Sequence, residues 1–377
     1  EYALRYAEHL AANNQLLPAE DVLKDSLKVD SDNISVLRAL GLVYVRLVDR
    51  PRLQTVIGSL ERVGGVQANA IVNDLTARML AAQDRRDELN TFLEGLAQSG
   101  EAGLQADVAV IQSRLAAGDP AGALTYVDDL IARTEATQQL RYVRAGVLSA
   151  SGKFEEAEAE FTTLLEEIPG STAIVMAFSN LKSIQGDRDA AVAVIDQGLA
   201  VNPENGTLLF AKAGMLERQE DFEGAIAIYE KLYEANSSSV VIANNLASMI
   251  SSYRDSREDL ERAYTVARRL RNTKVPAFQD TYGWIAARLG NYDEALDYLE
   301  SAAAALPNEP LAQFHLAETY VGLGRKAEAV DTYQKVLDLQ TEGSSPALLE
   351  RVNAEMARLK AEIEAEAAAE AAPEVSQ

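Results

Sequence analysis

The chain has 377 residues, 47% of them hydrophobic, with 58 acidic against 35 basic side chains and a formal net charge of -23. Length and apolar content suffice for a large core, and the abundance of Ala, Leu and Glu predicts helix. The charge argues against a nucleic-acid binder, which presents a basic face, and against an anionic membrane surface; it suits neutral or basic partners.

There is no cysteine, so disulfides and thiolate metal sites are excluded, a composition that fits cytosol and periplasm alike. No run of about 18 apolar residues predicts direct membrane insertion. The first residue is Glu1 rather than Met, which reads as a processed or excised piece whose targeting signal is out of view.

In chain order, the sequence repeats. Leu40-Gly41-x2-Tyr44 stands in the second unit, and Gly118, Ala123 and Val127 in the fourth. Gly152, Ala157, Phe161 and Pro169 return 34 residues later as Gly186, Ala191, Ile195 and Pro203. Ala225 and Tyr229 follow, with Glu220 in the glycine slot. Then come Gly290, Ala295, Leu299 and Pro307, and finally Gly324, Ala329 and Tyr333. A two-residue insertion is expected in the loop 251–258, ahead of Ala263. Ten units result: about 1–33, 34–69, 70–103, 104–137, 138–171, 172–205, 206–239, 240–275, 276–309 and 310–343. The first and third match weakly, the third with Leu89 in the small slot. Residues 345–371 read as one long helix whose first half caps the last unit, and 344–377 as that capping helix with an acidic tail, PEVSQ being exposed and frayed.

Each unit reads as two antiparallel helices. Gly283 and Ala295 are small where the two cross, and Ala302 where the second helix meets the next unit. Gly290 suits the left-handed turn after the first helix, and Asn291 with Glu294 reads as a capping box. One hairpin cannot bury its apolar stripe alone, whereas stacked neighbours bury it continuously.

The period, the small-residue slots, the inter-helix glycine and the closing proline resemble the tetratricopeptide repeat. That resemblance implies an all-α, right-handed α-solenoid. It also implies a concave groove lined by the first helices. The family's inward positions are occupied here by Tyr142, Met176, Phe210, Asn244, Asp280 and Phe314. One helical turn further on lie Asn180, Trp284 and Glu318. With Asn245 and His315 these form the expected partner-binding groove; the alternative is that some of the aromatics pack on the neighbouring unit. Trp284, the only tryptophan, lies outside the family's tryptophan slot, which holds Gln279. The carboxylate clamp of chaperone-binding members is broken, since Phe210, Ala211, Asp280 and Thr281 flank Asn244 and Asn245. The series Asn244-Asn-Leu-Ala247, Asp280-Thr-Tyr-Gly-Trp284 and Phe314-His-Leu-Ala317 is similar to bacterial tetratricopeptide scaffolds of envelope and exopolysaccharide-export systems, including the PEP-CTERM-associated lipoproteins.

Chemistry is sparse. Of the two histidines, His9 and His315 are some 300 positions apart, and no phosphate loop, nucleophile elbow or metalloprotease signature occurs. Acidic pairs such as Glu155-Glu156 read as solvated helix faces. Arg262, Arg268, Arg269, Arg271 and Lys274 form a basic cluster, read either as an anchor for an acidic partner or as cations complementing a helix C-terminus. The expectation is therefore no catalytic residue, no metal and no cofactor. The function expected is a scaffold binding a protein or peptide, neutral or basic, with no nucleic acid. The setting is periplasm or cell envelope, with cytoplasm as the alternative. The second reading is the arm of a larger polysaccharide-export or glycosyl-transfer machine.

Overall fold

A computed structural model describes residues 2–100, 103–340 and 345–371. Among these there are 21 α-helices, one 3-10 turn and no strand. The sequence PEVSQ, and with it the expectation of a frayed tail, lies outside the described residues.

Helices α1 to α20 run as successive pairs: α1 Tyr2–Ala12 and α2 Leu16–Val29; α3 Ile34–Arg46 and α4 Arg50–Val63; α5 Gly65–Ala82 and α6 Arg86–Ser99; α7 Leu104–Ala116 and α8 Pro120–Arg133; α9 Gln138–Ala150 and α10 Phe154–Glu167. The series continues with α11 Thr172–Ile184 and α12 Arg188–Val201; α13 Gly206–Arg218 and α14 Phe222–Ala235; α15 Val240–Tyr253 and α16 Arg257–Ala267; α17 Pro276–Arg288 and α18 Tyr292–Ala305; α19 Pro310–Gly322 and α20 Lys326–Asp338. The last helix, α21, is Pro346–Ala371. The chain divides into two compact units, Glu1–Asp187 and Arg188–Gln377.

In the first unit α1 packs on α3, α3 on α5, and α9 on both α7 and α11, so first helices form a layer. Ala19, Ala123 and Ala157 are fully buried at the crossings with their partner helices. Glu20, buried on α2, ties three helices together. It accepts from Tyr44 on α3 at 3.1 Å and from Arg52 on α4 at 2.8 Å, with Lys24 at 2.5 Å. Burial alone would raise its pKa, but these donors together hold it below the ordinary carboxylate value. The third pair departs from the expected register. Gly64 and Gly65 both take positive φ, 69° and 86°, so α5 starts at Gly65 rather than near 70. Leu89 is only half-buried where most other pairs bury an alanine.

In the second unit α15 packs on α17 and α17 on α19. Ala225, Ala263, Ala295 and Ala329 are fully buried. A Cβ on Gly283 would stand 2.7 Å from Leu299 Cγ and 3.1 Å from Tyr298 Cβ, so only glycine allows α17 this close to α18. The expected insertion is not a long loop. Ser251–Tyr253 continue α15 and Arg257 already begins α16, leaving only 254–256 between them. Arg288 of the following pair donates to the Ser251 carbonyl and to Asp255 at 2.6 Å, covering the end of α15. After Ala267 a 3-10 turn, Arg268–Leu270, ends the pair. The capping box at α18 does not form: Asn291 makes no side-chain cap bond, and the Glu294 carboxylate, which would return one, accepts from Tyr264 and Tyr282 at 2.9 and 2.7 Å. The first half of α21 packs on α20 and buries Val352, Met356 and Leu359.

Turn chemistry recurs. Gly118, Gly152, Gly186, Gly290 and Gly324 have φ between 71° and 85°, and Asn14, Val48, Asp84 and Glu220 adopt the same left-handed conformation in four other pairs, the turn between α15 and α16 being extended instead. Packing of the two helices dictates that conformation whichever residue fills the slot.

Candidate functional site

The candidate residues fall in both units, and each set stands by itself. In the first unit Tyr142 is half-buried on α9, its ring 6.3 Å edge-on to Phe161; on α11 Met176 is half-buried and Asn180 exposed.

The second unit holds the remaining eight. On α13, Phe210 is 39% exposed and meets the buried Tyr229 of α14 edge-on at 5.9 Å. Tyr229 begins a chain of hydrogen bonds. Its hydroxyl donates to Glu217 at 2.6 Å and accepts from Asn245 Nδ2 at 3.3 Å, and Asn244 Nδ2 donates to Asn245 Oδ1 at 3.3 Å. The chain ends at Asn244 Oδ1, which is buried and has no hydrogen-bond partner. Burial first, and the Glu217 carboxylate second, push the Tyr229 hydroxyl well above its ordinary pKa, so it stays a donor.

One and two pairs further along, Asp280 of α17 places both carboxylate oxygens 3.0 Å from His315 Nδ1 on α19. The His315 ring stacks on Trp284 with centroids 4.3 Å apart and planes 14° apart. Trp284 is half-buried, 6.0 Å from Phe314, and the Arg288 guanidinium lies 6.0 Å over its ring. Four expectations change here. Phe314 is 5% exposed, packed 6.1 Å from Tyr333, with the Arg351 guanidinium of α21 5.0 Å over it. Glu318 is taken by Arg351 at 2.5 Å and by the Tyr333 hydroxyl. Asp280 is taken by His315, and Asn245 by Tyr229. Neither carboxylate is left free for a basic ligand residue, because each finds a donor within the unit. Phe210, Trp284, His315 and Asn244 retain accessible surface or bonding capacity.

Arg351, Glu217 and Tyr229 were not among the residues expected at the groove. Only Tyr229, in the aromatic slot of a second helix, carried a sequence signal. The basic cluster does not lie on one helix: Arg268 and Arg269 are in the 3-10 turn and Arg271 beyond it, 3.7 Å from Glu294. Arg262 lies over the Tyr233 ring at 5.9 Å. Among the described residues no three His, Asp or Glu side chains gather as a metal site, and no helix is long and apolar enough to cross a membrane.

The tetratricopeptide repeat family model matches residues 111–172, 183–240 and 283–344. The chain is 23% identical to cellulose synthase operon protein C of Pseudomonas fluorescens (strain SBW25), over 86% of this chain and 27% of that protein. The chain thus spans about a quarter of that relative's length. Among solved structures it is similar to YrrB, described as a TPR protein with an unusual peptide-binding site, at 20% identity and a TM-score of 0.40, over 48% of this chain and 93% of that one. It is also similar to TTC0263, a thermophilic TPR protein of Thermus thermophilus, at 22% identity and a TM-score of 0.37, over 48% and 97%. The matched stretches begin inside α7, α11 and α17 and take in the helices that follow them, and over those stretches the chain carries tetratricopeptide repeats.

Proposed function

We propose that the chain is a non-catalytic scaffold that holds a segment of a partner protein against the first helices of its second unit. The observation that carries this reading is Asn244. A buried amide oxygen without a donor is costly, about 1–3 kcal/mol, unless a ligand N–H completes it. A bound backbone amide supplies that donor once the Asn244 side chain turns outward, while Phe210 and the Trp284–His315 stack offer apolar surface for side chains beside it. The partner is neutral or basic, in keeping with the net charge of -23.

The setting we infer is a bacterial envelope assembly. The likeness to cellulose synthase operon protein C favours a second reading, the arm of a larger polysaccharide-export machine whose remaining parts lie outside this chain.

The test is affinity capture from envelope extracts, with the captured polypeptide then titrated against Trp284 fluorescence. Trp284→Ala, Phe210→Ala and Asn244→Ala each weaken binding, the aromatic truncations by about thirtyfold, and Arg268→Ala does not. A partner that survives all three substitutions and leaves the fluorescence unchanged sinks this assignment.

A further inference from the structure

We infer that α16 and the turn joining it to α17 carry a second docking surface, a basic one, whose occupant is an extended acidic segment of a partner protein. The surface is separate from the site above. It is built on a second helix and the turn after it, and shares no residue with that site. Trp284 lies eight residues beyond Pro276, about 12 Å along the α17 axis from the turn.

Here the backbone departs from the repeat. In the second unit α12, α14 and α18 each run 14 residues, whereas α16 stops after 11. The 3-10 turn Arg268–Leu270 follows, and Asn272 then takes a left-handed φ of 65°. Leu270 is buried and holds the turn against α15 and α17. Arg269 and Arg271, on either side of it, are therefore turned out to solvent, with Arg268 and Lys274 exposed beside them. Arg262 stands two helical turns before Arg269 on the same face and is exposed as well.

Packing does not need these charges. Residues 262–279 hold five cations and no Asp or Glu, in a chain with 58 acidic side chains against 35 basic. The last turns of α12, α14 and α18 contain no cation, so ending a second helix requires none. Nor do the five serve the terminal carbonyls of α16: among the described residues none of their side chains donates to a backbone oxygen. Arg268, Arg269 and Lys274 make no ion pair there either. Arg271 has one carboxylate, Glu294, at 3.7 Å, and Arg262 lies over the Tyr233 ring. Two guanidiniums and an ammonium thus stand without counter-charge.

Charge and dimension select the occupant. At physiological salt a charge is felt over about 8 Å, so the patch is locally positive although the chain carries -23. A planar anionic membrane also meets the acidic remainder of the chain and is repelled by it, whereas a narrow acidic segment meets the patch alone. From Arg262 to the end of the 3-10 turn is about 13 Å, at about 1.5 Å per residue in α16 and about 2 Å in the turn. An extended segment rising about 3.3 Å per residue spans this with about four residues, its alternate side chains on one side. Carboxylates at those alternate positions face Arg262 and Arg269, and arginine takes a carboxylate bidentately.

The probe is a fluorescein-labelled peptide of about ten residues, glutamate alternating with serine, and its twin carries glutamine for glutamate. Fluorescence anisotropy is read against the whole chain. The acidic peptide binds at least about tenfold more tightly than the twin, and its affinity falls as salt rises. Arg268→Glu with Arg269→Glu, both exposed, leaves the helical spectrum unchanged and weakens the acidic peptide by about tenfold or more. Lys274→Glu, outside any helix, weakens it by about threefold. Arg38→Glu with Arg62→Glu, exposed on the first unit, changes the net charge as much as the first pair but alters affinity by less than about twofold. Trp284→Ala leaves the affinity unchanged, which separates this surface from the site around Trp284. No binding by the acidic peptide, equal binding by the twin, or equal losses in the two double variants overturns the proposal. Vesicles of equal parts phosphatidylglycerol and phosphatidylcholine bind neither the chain nor its variants. Vesicle binding that needs Arg268 and Arg269 while the peptide fails to bind makes the occupant a membrane and overturns the acidic segment.

Discussion

Trp284 lies face to face on His315, 4.3 Å between centroids, and so joins α17 to α19 across two helix pairs. Asp280 fixes the imidazole from behind through Nδ1. The indole therefore packs as well as faces outward, with Arg288 over its ring. Trp284→Ala is expected to cost about 2 kcal/mol, less than full burial of the ring would imply. Hydrogen exchange should rise first in α17 and α19. Unchanged protection there would mean that the stack contributes nothing to packing.

Gly283 is the tightest test of the repeat register. With Leu299 Cγ 2.7 Å from where its Cβ would be, Gly283→Leu must push α17 away from α18. Ala295→Leu attacks the same crossing from the other helix, at a fully buried position. Each should destabilise by about 1–3 kcal/mol. Because repeats couple mainly to neighbours, the loss in hydrogen-exchange protection should centre on α15 to α20. A denaturant midpoint unchanged in both variants would contradict the crossing.

Val48 holds a conformation that suits glycine. Its φ is 54°, a left-handed value that costs a β-branched residue about 1–2 kcal/mol, and it is 47% exposed, so little packing is lost on truncation. Val48→Gly should raise stability by about 1 kcal/mol after the entropy cost of glycine. The reverse exchange, Gly290→Val, should lower it by at least as much. A urea titration of both variants decides the matter through opposite midpoint shifts.

Four tyrosines set the alkaline limit of the second unit. Burial, and then a neighbouring hydroxyl or carboxylate, raises Tyr229, Tyr282 and Tyr333 far above the ordinary phenol value; Tyr320, beside Glu300, is pushed up to about 12. A raised folded pKa means the folded state keeps its protons longer. The stability involved is whole below the unfolded value of about 10 and is lost as pH rises toward the folded values. The tyrosinate absorbance of these four should therefore appear together with loss of helical circular dichroism. Ionisation of all tyrosines near pH 10 with the helices intact is the contrary result.

The 34-residue recurrence in the sequence determined the helix pairs, their order and most of their turns. Periodicity records which face of each helix is apolar, and small residues at Gly283 and Ala295 mark where backbones approach. The left-handed turns were legible at Gly152 or Gly290, and by register at Glu220, but hidden at Val48, because the packing of two helices imposes that geometry on whatever side chain is present. Position in the repeat also named Trp284, Phe210 and Asn244. Tertiary structure alone decided which polar groups remained unspent. Arg351, 33 residues beyond Glu318, reaches back from α21 to take its carboxylate and covers Phe314. His315 takes Asp280, Tyr229 takes Asn245, and Glu294 abandons its cap for two tyrosines. Such pairings depend on how neighbouring helices are rotated and offset by an ångström or two, and a repeating pattern of residue types does not encode that. The amide oxygen left over on Asn244 is likewise a fact of packing rather than of sequence.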